Sequence, residues 1–307
     1  MSSDTTTTPP RRRSGSGVSA AAPPRQTNKP KAKEGAGAFN RVTTILLVVF
    51  AAAWLVPSLF ALKTSITPNE TAALGAEAIL KDGNPTLDSY QTLFNNGDIW
   101  NWYVASAVTS VLTVVMTVLF ASMAAYALSR LRFRGRRFVF VLTILGIMVP
   151  GQVLILPIFQ ELGAFNLLNT YWAVIFPQVP AVIAVFVFKQ FFDGLPKDLE
   201  DAARVDGASS WRIYRTIVMP LSRPAVSAVA IFSFVWSWNN LLWPLLVLTN
   251  PDLMTIPVGL ATVQGSYGIR YADTMASALL GGLPLILIFL LFQRRIVEGI
   301  AGTGLKG

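Results

Sequence analysis

Long apolar intervals alternate with short polar segments along most of the chain. Six of these intervals are free of charged residues: 42–62, 99–129, 138–160, 162–188, 224–251 and 274–293. Each has about the 20 residues that a helix needs to cross ~30 Å of hydrocarbon. The membrane-spanning helices predicted from them lie at about 42–62, 103–128, 138–160, 170–192, 224–248 and 274–293. A seventh apolar interval, 253–269, is shorter and contains Thr, Gln, Ser and Gly, so it is interpreted as an outer loop. The pattern predicts an all-α membrane protein with six transmembrane helices.

The composition agrees with this prediction. The chain of 307 residues is 53% hydrophobic and only 13% charged, whereas soluble domains carry about 25% charged residues. One chain of this length cannot bury so much apolar surface internally, so lipid is the expected solvent. The net charge of +9 comes from basic residues between the apolar blocks and in a leading tail, which favours membrane lipid over nucleic acid as a partner.

The two ends of the chain differ from the middle. Residues 1–38 are rich in Ser, Thr, Pro, Gly, Ala and Arg and show no periodicity, so a disordered N-terminal tail is predicted there. The membrane domain is predicted at 39–293 and a C-terminal tail at 294–307.

The basic residues also predict an orientation. With the N-terminus in the cytoplasm, only Lys63, Lys81 and Arg270 face outward, and the other 22 of the 25 lie inside. Cytoplasmic loops carry an excess of Lys and Arg, so both termini are predicted to be cytoplasmic.

The residue types that the chain lacks exclude several kinds of catalytic and metal site. The chain has no Cys and no His, which removes Cys/His metal sites and the commonest general base. It has no Gly-Lys pair, so it lacks a P-loop, and any ATP hydrolysis must come from a partner. No enzymatic activity, cofactor or metal is expected.

A self-contained secondary carrier or channel is the alternative to a subunit of a larger transporter, but the predicted spans contain no acidic residue to bind a coupling ion.

The segment 195–223 between the fourth and fifth predicted spans has the pattern of two short amphipathic helices. Acidic residues crowd the turn after Pro196, where they complement the helix dipole. Gly207 can adopt a positive φ and end the first helix, and Ser209 or Ser210 can cap the second. The small residues on the first helix suit docking by another protein, and a helix pair lying on lipid is the alternative.

The same segment resembles the EAA loop of bacterial ABC importer permeases. In that family Glu-Ala-Ala is followed after three residues by Gly and, nine residues later, by Ile, any residue and Leu-Pro. The matching residues here are Asp201, Ala202, Ala203, Gly207 and the run 217–220, IVMP. The two departures, Asp for Glu and Met for Leu, keep the charge and the bulk.

The resemblance implies a coupling role for this loop and a set of partners. It extends over nearly all of the chain after the tail, including 124–135 (AAYALSRLRFRG), 238–248 (WNNLLWPLLVL) and 293–307 (QRRIVEGIAGTGLKG), and it points to the maltose-type, MalG-like carbohydrate branch. It implies the type I importer permease fold in the cell membrane. The implied partners are a second permease subunit in a heterodimer, two ATPase subunits and an extracytoplasmic sugar-binding protein. Sugars of any size and glycerol phosphates remain open as substrates.

Three groups of site residues are predicted. The resemblance implies that Glu200, Asp201, Ala202, Ala203, Asp206 and Gly207 couple to the ATPase, and that Gln264, Gly265, Ser266 and Tyr267 contact the binding protein. Candidates for the translocation pathway are Trp236, Asn239, Asn240 and Trp243, because amides and aromatic rings within a span suit a sugar. The alternative for this third group is helix packing, in which Asn joins helices and Trp marks interfaces.

The predicted orientation can be tested by cysteine labelling, since the chain has no cysteine to remove. We expect Lys81→Cys to react with an impermeant thiol reagent in intact cells and Arg134→Cys to react only after permeabilisation. The reverse pattern would overturn the orientation.

Overall fold

The structure, a computed structural model, describes residues 34–96, 99–266 and 270–304. These residues form helices and no strand, which confirms the all-α prediction for the described part of the chain. The described residues divide into two units, the first ending at Trp54 and the second beginning at Leu55. In the first unit, large apolar side chains from Val42 to Trp54 are exposed, as expected of a helix surrounded by lipid.

The described ranges contain α-helices and several shorter helical turns. The α-helices are α1 Glu34–Ser65, α2 Asn69–Ala73, α3 Ala76–Lys81, α4 Asp88–Asn96, α5 Ile99–Arg130, α6 Arg136–Leu145, α7 Ile155–Ala164, α8 Tyr171–Ile175, α9 Val182–Asp193, α10 Asp198–Val205, α11 Ser210–Ile213, α12 Met219–Leu221, α13 Arg223–Trp238, α14 Leu242–Val247, α15 Ile256–Ser266 and α16 Tyr271–Gly304. The 3-10 turns are Gly146–Met148, Gly151–Leu154, Phe176–Gln178 and Pro251–Leu253, and Tyr214–Val218 is a π-helical turn.

Three helical segments are long and apolar enough to cross a membrane unbroken: Asn40–Ser65, Ile99–Arg130 and Tyr271–Gln293. Three bent helix pairs also qualify, namely Arg136–Met148 with Gly151–Ala164, Tyr171–Gln178 with Val182–Asp193, and Ser210–Leu221 with Arg223–Trp238. They bend by 93°, 46° and 78°. Counting each pair as one span gives six in the described part of the chain.

Proline accompanies the first two bends. Pro150 follows Val149, whose backbone is extended at φ −81° and ψ 114°, the conformation that a following proline favours. Pro180 lies at the second bend. Proline lacks a backbone N–H and clashes with the preceding turn, which breaks a helix. The predicted third and fourth spans, 138–160 and 170–192, are therefore not continuous helices.

Other boundaries differ from the prediction as well. Residues 34–38, predicted to be disordered, begin α1, and the predicted C-terminal tail continues α16 as far as Gly304. The predicted outer loop 253–269 contains the helix α15. In α15, Ile256, Val258 and Leu260 are buried, so tertiary packing stabilises a helix in a segment that its polar residues suggested was a loop.

In the second unit α5 packs against the most neighbours. One end contacts α9 and α13 in an apolar cluster that includes Ala125, Phe188 and Val218. The other end contacts α15, where the Trp102 ring lies so close to Gly259 that an added Cβ would stand 2.1 Å from it. A glycine is therefore required at this position.

Buried indole groups donate hydrogen bonds to backbone carbonyls of other segments. Trp102 Nε1 donates to Pro251 O at 3.0 Å and Trp238 Nε1 donates to Gly281 O at 3.0 Å. In hydrocarbon no water is available, so an indole N–H needs a partner within the protein. These bonds fix how α5 and α13 meet their neighbours.

Candidate coupling site

The first helix of the predicted coupling loop, α10, ends in a Schellman motif. Gly207 has φ +78°. Its N–H donates to Arg204 O at 3.0 Å, and the Ala208 N–H donates to Ala203 O at 2.9 Å. This is the pair of bonds that satisfies the last carbonyls of a helix when the following residue is left-handed. The prediction of a positive φ at Gly207 is confirmed.

The second helix begins at Ser210 and is capped as predicted. Ser209 Oγ accepts a hydrogen bond from the Arg212 N–H at 3.3 Å. The helix then widens into the π turn, which buries Tyr214 and Val218. The first helix starts later than the sequence suggested, at Asp198 and not at Pro196.

The six residues predicted to couple to an ATPase divide between an exposed and a buried face of α10 and its C-terminal turn. Asp201, Ala202, Asp206 and Gly207 are exposed. Ala203 is half-buried against the apolar cluster of α5 and α9. Glu200 is buried inside the protein, so it is not available to a partner's surface.

Glu200 forms a buried ion pair with Arg130, the last residue of α5. The Arg130 Nε lies 2.9 Å from Glu200 Oε1, and both side chains are 3% exposed. Arg204 Nη2 lies 3.3 Å from the other oxygen, Glu200 Oε2, and Arg204 Nη1 lies 2.6 Å from Asp201 Oδ1. One arginine thus links the two acidic residues of α10, and the other ties α10 to α5.

Two functional candidates escaped the sequence analysis, Arg130 and Tyr214. Arg130 lies just beyond the predicted span 103–128 and borders a run of basic residues, yet its side chain is buried. The signal that identifies it is spacing: Ser122, Tyr126 and Arg130 are polar residues at intervals of four in an apolar span, which places them on one face of a helix. Tyr214 lies across from that face, with its hydroxyl 2.8 Å from Ser122 Oγ.

The predicted pathway residues lie at a break in the fifth predicted span. The span 224–248 was expected to be one helix, but α13 ends at Trp238 and α14 starts at Leu242. Asn239 and Asn240 therefore occupy the junction and not the middle of a helix. Asn240 Oδ1 accepts from the Trp243 N–H at 3.3 Å, and Asn239 Nδ2 donates to Val235 O at 2.8 Å. Local side chain–backbone bonds of this kind compete with the helix.

The tryptophans beside this junction differ in exposure. Trp243 is buried and donates to Ala173 O at 2.8 Å, so its indole joins α14 to α8. Trp236 is 76% exposed on α13. Of the four candidates, Trp236 and Asn239 are exposed and Trp243 is part of the core.

The predicted binding-protein contact falls at the end of α15. The backbone of Gln264, Gly265 and Ser266 is helical. Tyr267 lies outside the described residues.

The continuous and bent spans, together with two short helices joined at the left-handed Gly207, are the architecture of a membrane permease subunit. The chain belongs to the family of binding-protein-dependent transport system inner membrane components, which matches residues 117–297. It is a multi-pass membrane protein and the permease subunit of an ABC importer. Members of this family are the membrane component and are not themselves catalytic.

Curated relatives cover most of the chain. It is 41% identical over 234 residues to the arabinooligosaccharides transport system permease protein AraQ of Halalkalibacterium halodurans, covering 76% of this chain and 84% of that protein. It is 36% identical to AraQ of Bacillus subtilis, covering 86% and 95%. It is 32% identical to the lactose transport system permease protein LacG of Rhizobium radiobacter, covering 72% and 81%.

Solved structures share the fold. A bacterial ABC transporter involved in import of the acidic polysaccharide alginate matches with a TM-score of 0.74 at 20% identity, over 87% of this chain and 99% of the matched chain. The same kind of transporter in complex with an alginate pentasaccharide-bound periplasmic protein matches with a TM-score of 0.57 at 15% identity, over 86% and 98%.

The break in the fifth span predicts different roles for the two amides. Asn240→Leu removes an acceptor for an N–H in the first turn of α14, a loss of about 1 kcal/mol. We expect the Asn240→Leu complex to have a lower midpoint of thermal unfolding. Asn239→Leu should leave that midpoint unchanged and reduce transport. Asn240→Ser retains an acceptor oxygen at the cap without adding a charge and is the matched control. Equal midpoints for Asn240→Leu and Asn239→Leu would contradict this assignment.

Proposed function

We propose that this chain is one of two membrane-spanning subunits of a carbohydrate importer and that its loop 195–223 couples transport to ATP hydrolysis on separate ATPase subunits. The observation that carries the proposal is the exposed face of α10, closed by the left-handed Gly207 in the EAA-like pattern. The relatives named for arabinooligosaccharides and lactose support a sugar as the substrate.

The exposed part of α10 has the composition of a docking helix. Val205 is 89% exposed and Leu199 is also exposed, which gives apolar surface that a partner can bury. Asp201, one helical turn before Val205 and with a side chain 64% exposed, adds a negative charge beside that residue. Apolar surface contributes the affinity of such an interface, and the charge favours a basic partner and fixes the register.

The proposed mechanism is alternating access. With both termini in the cytoplasm, the loop 195–223 meets the ATPase pair inside, and the segment around α15 meets a loaded binding protein outside. ATP closes the ATPase pair, and the loop transmits that closure to the spans, so each ligand stabilises one of two conformations. The sugar passes between this chain and a second permease, where the exposed Trp236 and Asn239 are the candidates for contact.

Gly207→Val tests whether the turn after α10 presents the docking face. An added Cβ at Gly207 meets nothing within 4 Å, so the effect comes from the backbone conformation and not from a clash. A non-glycine residue in the left-handed region costs roughly 1–2 kcal/mol, which corresponds to about a 5–30-fold loss of the docked conformation. We expect weaker co-purification of the ATPase and lower sugar uptake, with normal membrane insertion.

The matched control is Gly135→Val. Gly135 has φ +83° and also has nothing within 4 Å of an added Cβ, but it precedes α6 in a different loop. The same backbone strain there should leave ATPase binding intact. Equal losses from both variants, or none from Gly207→Val, would refute the docking role.

Asp201→Lys tests the charge on the docking face. The side chain is largely exposed and touches only Arg204 within α10, so the reversal should not disturb the spans. A basic partner would now be repelled, and we expect ATPase co-purification and uptake to fall at low salt and to recover partly at high salt, where charges are screened. Glu77→Lys, which reverses an exposed acidic residue of α3 that likewise pairs with a neighbouring base, is the control and should leave ATPase co-purification unchanged. Wild-type uptake by the Asp201→Lys variant would show that this charge is not part of the proposed interface.

A further inference from the structure

One face of α5 is polar over its last turns, and that face contacts the coupling loop. Ser122, Tyr126 and Arg130 recur at intervals of four, so they lie one above the other. Ser122 and Tyr126 are buried, and so is the Arg130 side chain. Each of the three contacts a residue of the loop.

The first contact is made by Arg130, at the C-terminal end of α5. Besides its ion pair with Glu200 of α10, its Nη2 donates to Leu195 O at 2.8 Å and also to Phe192 O. One guanidinium therefore holds the end of α9, the start of the loop and the docking helix together. A planar guanidinium with several donors fixes the direction of each bond, unlike apolar packing.

The second contact, about two turns before Arg130, is made by Tyr214 of the π turn. Its hydroxyl lies 2.8 Å from Ser122 Oγ, and its ring centroid lies 5.3 Å from that of Tyr126. Ser122 and Arg130 are eight residues apart, about 12 Å along the helix axis at 1.5 Å per residue. Two directional contacts at that separation fix both the position and the angle of the loop on α5.

The other end of α5 is attached to the outer segment. Ser106 Oγ accepts from the Ile256 N–H at the start of α15 at 2.8 Å, and Trp102 donates to Pro251. Between these attachments α5 runs unbroken from Ile99 to Arg130. Its predicted span, 103–128, is the one of the six that contains neither Gly nor Pro, so the kinks that those residues permit elsewhere are absent from its sequence.

We propose that α5 moves as a rigid helix and transmits movement of the coupling loop to the outer segment, which contains Pro251 and the start of α15. Arg130 and Glu200 are its positioning residues, and Tyr214 is a second point of attachment. The inference rests on the proposed coupling function. It places the transmission on α5, although the loop is joined in sequence to α9 and α13. A movement of α10 pulls directly on α5, and α5 moves Pro251 and Ile256.

The test uses the assembled importer in nanodiscs and a single reporter cysteine, Asp252→Cys, which is exposed beside Pro251. The probe is ATP with vanadate, which traps the closed ATPase, and the readout is the ratio of thiol-labelling rates with and without it. We expect a ratio different from one in the reporter protein. Glu200→Gln should bring the ratio to one while the ATPase still co-purifies, which a purely structural defect would not do.

Three further variants make the test specific. Glu200→Asp keeps the charge and should restore part of the change in labelling. Tyr214→Phe removes only a hydroxyl and should reduce the nucleotide-dependent change in labelling. It therefore tests the proposal even if the Glu200→Gln importer fails to assemble. Glu77→Gln removes an exposed ion pair with Lys81 and should leave the ratio unchanged.

The inference is overturned if Glu200→Gln and Tyr214→Phe both keep the full nucleotide-dependent change. It is also overturned if both variants lose the ATPase, because the contacts would then serve docking and not transmission. Failure of the proposed coupling function itself would appear separately, as normal ATPase binding by Gly207→Val.

Discussion

In the hydrocarbon of a membrane, the backbone N–H and C=O groups need partners within the protein, and this constraint shapes the spans. It requires helices throughout the spans, and it directs the indole groups of Trp102, Trp238 and Trp243 onto carbonyls of other segments. It also explains why Arg130, at the end of a long apolar helix, meets both a carboxylate and backbone carbonyls. A buried charge without such partners would be strongly destabilising.

The same constraint connects the fold to the proposed function. Apolar side chains in lipid gain little from choosing one neighbour over another, so polar contacts determine the register between segments. Those contacts concentrate on α5, which contacts the loop 195–223 near Arg130 and the segment that begins α15 near Trp102. The proposed docking face of α10 is exposed because Glu200 turns inward and Asp201 outward.

Much of this organisation could be predicted from the sequence, and the rest depends on tertiary contacts. Six apolar segments, the turn at Gly207 and the cap at Ser209 follow from local patterns. The helical state of α15 does not, because it depends on burial against other segments. The break at Asn239 has local side-chain bonds, but it interrupts an interval that hydropathy alone presents as one span. The Arg130–Glu200 pair joins residues 70 positions apart, so no local pattern specifies it.

The most direct test is whether α10 touches an ATPase subunit. Val205 is 89% exposed on that helix, and Leu80, 68% exposed on α3, lies on the side predicted to face outward. Since the chain has no cysteine of its own, Val205→Cys and Leu80→Cys can each be combined with single cysteines on the surface of the ATPase subunit and treated with a short thiol cross-linker. A covalent permease–ATPase product from Val205→Cys and none from Leu80→Cys is the predicted result. An intact complex that gives no product from Val205→Cys would contradict docking through α10.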